Sequence, residues 1–467
     1  MKFIRLILLF LLACSWAIVG SFLPLLLHNQ PVQATPASSM TTSMYPQPLS
    51  ALRLDVERLQ QTLDREDLAD AIRQVELGWK QQYEDYYQGN LTSQVLGSDQ
   101  IAQSLNQIAR LTGRRSALIY AIPTPEQLEL ILLPPRGQPV HQRISEANRE
   151  RLNQTVETFR AGVVNVSSQA SEYLPVAQQL YQWIIAPLEA DLEAQRIDTL
   201  IFCLGTGLRS LPLAALHDGE RFLIEKYSFG IIPAFNLLDR QPAALANTRV
   251  LAMGASEFQQ EAPLPAVPVE LAAITQLWQG ETWLNQEFTM ETLKARRSSY
   301  PFGIIHLATH AAFVGGSVDE SYIQFWDQPL HLDRLRELNL RLPIVQLLVL
   351  SACRTALGDP NAELGFAGLA VQSGAKAALA SLWSVSDAGT LVLMIDFYRQ
   401  LMTAPIKADA LRQAQLAMLR GQLQLQSSPI LRAIGRNDLP VELRESASVD
   451  LSHPYYWAAF TLIGNPW

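Results

Sequence analysis

The second half of the chain alternates short apolar runs with helical stripes, and this alternation restricts the fold more than any other feature. Arg249–Met253, Gly303–Thr309, Gln346–Ser351 and Ala377–Leu382 are apolar runs of strand length. Residues 268–278, 364–373, 387–402 and 407–420 carry helical spacing between or after them. Strands separated by helices predict a mostly parallel sheet with helices on both faces. In such sheets reactive groups gather at the carboxyl ends of the strands.

The upstream sequence reads differently. Leu52, Val56, Leu59 and Leu63 share one helical face, as do Leu68, Ile72, Val75, Trp79, Tyr83 and Tyr86, and then Ile101, Leu105 and Ile108. Without self-similarity along the chain, these stripes predict a small helical cap over 51–112 rather than a repeat array. Ser116–Ile122 and Leu128–Leu133 flank Pro-Thr-Pro and predict a hairpin. Helices are expected over 145–160 and 173–192, then a buried strand Thr199–Leu204 that ends at Gly205-Thr206-Gly207. Residues 239–248 read as a seam, so the expected subdomains are 113–240 and 248–467.

Residues 1–34 are a separate matter. Lys2 and Arg5 precede an uncharged apolar run from Leu6 to Leu27, and Val32-Gln33-Ala34 offers a small-residue cleavage site. The run is also long enough to span a bilayer, which takes about 20 residues. Two readings stand: a cleaved signal peptide, or a retained N-terminal membrane anchor through residues 6–27. Leu11-Leu12-Ala13-Cys14 adds a lipoprotein-box reading. All three place the rest of the chain outside the cytoplasm, periplasmic or luminal. Residues 35–50, rich in Ser, Thr and Pro, form a linker. With 36 basic and 44 acidic residues, the net charge of -8 argues against a general attraction to nucleic acid, and no nucleic-acid partner is expected. The sequence does not set the oligomeric state.

Two of the apolar runs lead into chemically capable residues. One reads Ile304-Ile305-His306-Leu307-Ala308-Thr309-His310, the other Leu347-Leu348-Val349-Leu350-Ser351-Ala352-Cys353. On adjacent parallel strands His310 and Cys353 emerge at the same edge of the sheet, and a cysteine beside a base can become a thiolate nucleophile. The backbone N–H groups of Cys353 and Ala311 are then the candidates for holding an oxyanion. The competing reading is a buried Cys that acts as a small hydrophobe, with His310 merely ending a strand. His306 and His310 are not a metal pair, because four residues along a strand separate them by about 13 Å. No metal and no cofactor is expected. Gly205-Thr206-Gly207 lacks the third glycine of a dinucleotide fingerprint and the lysine of a P-loop. Trp383 and Asp387 either border a substrate pocket or serve as core packing and a helix N-cap. Tyr455, Tyr456, Trp457 and Phe460 read as a buried final strand. Cys203 and Cys353 can pair only if the two subdomains bring them together.

The strings HLATHAAF (306–313), LLVLSACRTALG (347–358), ALASLWSVSD (378–387) and HPYYWAAFTLIGNPW (453–467) resemble the CHAT domain family, a relative of the caspases and separases. SLPLAALHD (210–218), FLIEKY (222–227), ELGFAGLAVQSGAKAAL (363–379) and KADALRQAQLAML (407–419) extend the likeness over roughly residues 100–467. The resemblance implies an α/β, caspase-like fold: a mostly parallel sheet flanked by helices, with a degenerate companion subdomain beside the catalytic one. It implies a cysteine endopeptidase acting on a protein or peptide, with His310 and Cys353 at the catalytic positions. The residue after the histidine, usually Gly, is Ala311 here. The family's Glu-Gly pattern becomes Glu363-Leu364-Gly365, and its usual Pro-Asp-Gly after the strand near 200 becomes Gly205-Thr206-Gly207. The alternative is a CHAT-fold module that binds proteins with weak or absent catalysis.

Overall fold

The computed structural model describes residues 54–92, 94–242, 245, 248–355, 358–427 and 439–467; for 352–354 and 447 the description stops at the backbone. The apolar run 6–27, its cleavage site and the 35–50 linker lie outside the described residues. Among the described residues no helix is long and apolar enough to cross a membrane.

The three N-terminal stripes form α1 (Val56–Asp64), α2 (Leu68–Tyr86) and α3 (Ser98–Thr112), with Asp55 and Asp67 capping the first two. The hairpin follows as β1 (Ser116–Pro123) and β2 (Leu128–Leu133), and β3 (Val140–Ile144) extends it antiparallel. Helices α4 (Arg149–Val164), α5 (Ala170–Ile184) and α6 (Glu189–Ala194) lead to β4 (Thr199–Leu204). The helix expected over 173–192 breaks at Ala186–Leu188, where Pro187 cannot continue the ladder. A short α7 (Leu223–Lys226) precedes β5 (Ser228–Ile232).

The alternating half then runs β6 (Val250–Gly254), α8 (Val267–Leu277), β7 (Gly280–Leu284), α9 (Met290–Ser299) and β8 (Ile304–Phe313). It continues with the hairpin β9 (Tyr322–Gln324) and β10 (Pro329–His331), then β11 (Leu347–Thr355), α10 (Pro360–Ala367) and α11 (Leu369–Ser373). Last come β12 (Ala377–Ser381), α12 (Asp387–Leu401), α13 (Lys407–Leu419) and β13 (Phe460–Gly464). The C-terminal aromatics divide: Tyr455, Tyr456 and Trp457 belong to a helical turn at Pro454–Trp457, set by Pro454 at its first position, and only Phe460 enters the strand.

All thirteen described strands join one sheet. Its main path is β10-β9-β8-β11-β12-β13-β5-β4-β1-β2-β3, and β6 joins β8 on the side that β9 also uses. Strands β7, β6, β8, β11 and β12 are mutually parallel, as are β13, β5, β4 and β1. The two groups meet in the antiparallel pair β12–β13. Residues 51–467 cluster as one compact unit. Helices flank this mostly parallel sheet, and nearly every inward residue of β1, β4, β8 and β12 is buried, as two-sided coverage requires. Helix α8 packs on β6 and β8 and against α12, and α10 packs on β8 and β11 and against α2.

Candidate active site

His310 lies within β8, just past a β-bulge. Leu350 of β11 stands opposite Leu307, but Ala352 stands opposite His310, so β8 carries one residue more than its partner. The bulge falls where β8 exchanges neighbours: it pairs with β6 up to Ala308 and with β9 at Ala311 and Ala312. The chain leaving β6 is thereby turned off the sheet edge and passes across His310. The Ala262 carbonyl accepts a hydrogen bond from Nε2 at 2.7 Å, and the Phe258 ring meets the imidazole edge-on, with centroids 4.6 Å apart. A carbonyl can only accept, so it fixes the hydrogen on Nε2 and leaves Nδ1 as the basic nitrogen of the neutral ring.

A cavity of about 240 Å³ opens beside this histidine. Helices α8 and α12 both present their N-terminal turns to it, through Val267 and Glu270 on one and Asp387 and Thr390 on the other. Glu261 and Tyr322 close another side, joined by a 2.8 Å hydrogen bond from the tyrosine hydroxyl. Three carboxylates thus line the cavity, and among the described residues no Lys or Arg does. Helix N-termini suit negative charge, so α8 and α12 help to hold it there.

Glu270 is almost wholly buried, with Oε1 2.9 Å from His306 Nε2, and His306 Nδ1 is 3.1 Å from the Tyr398 hydroxyl. His306 is therefore buried inside the sheet with Nδ1 against the Tyr398 hydroxyl, while Nε2 and Glu270 Oε1 approach at ion-pair distance without hydrogen-bond geometry. Asp387 accepts a hydrogen bond from the Ala266 N–H at 3.3 Å. Burial raises its carboxyl above the ordinary range; the Ala266 N–H opposes this and the Glu270 charge adds to it. Asp387 does not cap its helix. Ser386 does, accepting from the Gly389 N–H at 3.2 Å, because the Asp387 carboxyl is turned toward Ala266 instead. Trp383 is buried and donates Nε1 to the Tyr455 carbonyl at 3.0 Å, while Ser384 and Val385 supply that segment's share of the cavity wall.

On β11 the backbone of Cys353 stands opposite Ala311, and Ser351, one strand period earlier, lines the cavity. His310 and Cys353 follow the apolar runs but lie inside their strands: β8 continues to Phe313 and β11 to Thr355, since pairing with each other and of β8 with β9 carries the ladder beyond the runs. Ala311 is buried and is not among the residues with positive φ, so its methyl sits in ordinary strand backbone. Cys203 is a free thiol at the core of β4, donating to the Pro233 carbonyl at 3.3 Å, and burial pushes its pKa well above the usual value. Among the described residues no three His, Cys, Asp or Glu side chains are grouped to hold a metal.

Sequence reading did not single out Ala262, Glu261 or Glu270. Glu270 did leave a trace: it is the one charged residue between Glu261 and Glu281, set in a mostly apolar helix. Ala262 left none, since it acts through its main chain.

Helices flank a mostly parallel sheet in which histidine and cysteine stand on adjacent parallel strands, an α/β fold with the histidine lining the cavity. The chain belongs to the CHAT domain family, whose model matches residues 174–465. A chain of the separase–securin complex of Saccharomyces cerevisiae is similar in structure at 10% identity and a TM-score of 0.47, over 86% of this chain and 34% of that one. The Arg-specific cysteine proteinase gingipain R is similar at 10% identity and a TM-score of 0.37, over 76% of this chain and 78% of that one. The complex of the pro- and mature domains of the Porphyromonas gingivalis enzyme gives 10% and 0.38. The chain thus spans about a third of the length of the separase-complex chain it matches. No curated protein matches it in sequence.

Proposed function

We propose that the protein is a cysteine endopeptidase that cleaves protein or peptide chains after a cationic side chain. Cys353 attacks the peptide carbonyl and forms the acyl-enzyme thioester. His310 takes the thiol proton on Nδ1 and passes it to the leaving amine, and water then hydrolyses the thioester. The N–H groups of Cys353 and Ala311, opposite one another across β8 and β11, are our candidates for the oxyanion donors.

The observation that carries this reading is the shared cavity: His310 and Ser351, one strand period before Cys353, line the same space as Glu261, Glu270 and Asp387. Glu270 is buried and Asp387 partly so, with Glu261 exposed at the rim; their like charges repel one another, and a lysine or arginine side chain relieves that repulsion. Trp383 supports the pocket from within the core and Asp387 lines it.

The test is a peptide library presented to the full chain, beside a Cys353→Ala control. Cleavage after Lys or Arg, absent from the control, is expected. No cleavage, or cleavage that survives Cys353→Ala, would refute the peptidase. Cleavage after acidic or apolar residues would refute the cationic pocket alone.

A further inference from the structure

The loop after β4 is not a nucleotide site, yet its polar groups converge on one side chain from the other half of the sheet. Glu363, in α10, has no solvent exposure. Its Oε2 accepts from the Gly207 N–H at 2.8 Å and its Oε1 from the Ser210 hydroxyl at 2.7 Å. Arg160 of α4 donates Nη1 to the same Ser210 oxygen at 2.7 Å and lies 4.0 Å from the Glu363 carboxylate. Gly207 has φ +91°, and a Cβ there would stand 2.6 Å from Asn153 Oδ1, so both the turn and the close approach need glycine. Arg209, next in the loop, donates to the Leu204 carbonyl and to Gln82 of α2.

Helix α10 is also gripped from a second side. The Tyr87 hydroxyl donates to the Gly365 carbonyl at 3.0 Å, and a Cβ at Gly368 would lie 2.5 Å from the Tyr87 ring. At its start Asp359 caps the helix, accepting from the N–H groups of Asn361 and Ala362. Pro360, its first residue, follows the end of the Cys353 strand by five positions. The chain that leaves the nucleophile is therefore anchored by partners drawn from residues 87–210.

We propose that Glu363 is a positioning residue for Cys353: by binding Gly207, Ser210 and Arg160 it fixes α10, and with it the chain that sets the nucleophile beside His310. This rests on the cysteine-peptidase reading. A buried ion pair is a weak source of stability compared with apolar side chains of the same volume. Its hydrogen bonds are directional, however, and hold a helix in one rotation and depth. Misplacing a reacting group by about 1 Å can cost about 100-fold in rate.

The test uses the full chain with Glu363→Gln, which removes the charge opposite Arg160, and Ser210→Ala, which removes the donor to Oε1. Ser228→Ala, which loses the buried Thr199–Ser228 hydrogen bond elsewhere in the sheet, controls for destabilisation alone. Both test variants should lower kcat about 10- to 100-fold with KM changed less than about two-fold, while Ser228→Ala keeps kcat. The pH profile of Cys353 alkylation should shift in both, with Cys203 as internal reference. If Glu363→Gln fails to fold, Ser210→Ala decides. Unchanged kcat and an unchanged Cys353 profile in a folded variant would overturn the proposal. If the wild type cleaves no peptide, the peptidase reading falls, and the alkylation profile still decides whether Glu363 positions the thiol.

Discussion

Asp387 sits where a charge is poorly solvated, and the cavity gains from it what the fold loses. Its raised pKa means that the folded state binds a proton more tightly than the unfolded chain does. The stability it contributes is whole below the ordinary aspartate pKa of about 3.9 and is lost as pH rises through the raised value. At neutral pH the carboxylate therefore weakens the fold. Asp387→Asn, which keeps an acceptor for the Ala266 N–H, should raise the melting temperature at pH 7, and the gain should vanish at about pH 3, while cleavage after cationic residues falls. A melting temperature at pH 7 equal to or below wild type would contradict this. The two cysteines give a second residue-scale expectation. Burial holds the Cys203 thiol protonated, so an alkylating reagent at neutral pH should label Cys353 much faster, and His310→Ala should remove most of the difference. Mass-spectrometric labelling over a pH series reads this directly; equal and His310-independent rates would point to a binding module. At this scale His310 and Asp387, which line the cavity, were legible because reactive side chains after apolar runs stand out. Glu261 and Ala262 were not, because the bulge at Ala308 and Thr309 that turns their segment over His310 has no sequence mark.

Helix α10 shows how little an element's own sequence fixes its place. Residues 362–367 are buried all round, the charged Glu363 included, as expected of a helix pressed between the sheet and α2, and the expected single helix 364–373 divides at Gly368, against which the Tyr87 ring packs. Its N-terminus depends on one side chain. Asp359→Ala leaves the Asn361 and Ala362 N–H groups without their acceptor and should cost about 1 kcal/mol, seen as a melting temperature lowered by roughly 1–4 °C. No change would mean that Pro360 alone starts the helix. Other elements were hard to read for physical reasons. Edge strand β3 has only Val140 and Ile144 to bury, β7 carries Glu281 and Thr282 amid partial exposure, and β5 is short with Gly230 at its centre. The hairpin β1–β2 and helices α12 and α13 were plain, because their apolar periods are uninterrupted.

At the scale of the whole molecule, the seam expected at 239–248 is the connection from β5 to β6, but the sheet itself is joined elsewhere. Pairing between distant residues leaves no local signature, so the place of β13 between β12 and β5 could not be read. Lys2 and Arg5 ahead of the apolar run lead us to propose that the chain acts outside the cytoplasm. A reporter that is active only after export, fused behind Trp467, should be active in cells; a reporter active only in the cytoplasm, fused at the same point, should be silent, and the reverse pattern would refute export. The position of β13 has one more consequence. Residues 460–464 pair with 377–381 on one side and with Ile231 on the other, so the two halves of the sheet share no ladder until this segment has been synthesised. At about 5–20 residues per second, roughly 10–45 s separate the appearance of β5 from that of β13 on the ribosome. Throughout that interval β5 and then β12 wait with an open edge, and the half of the sheet that carries β8 and β11 lacks the strand that joins it to the rest. A chain interrupted before residue 460 thus holds two part-sheets with no strand to join them, and the speed of translation sets how long they stand apart.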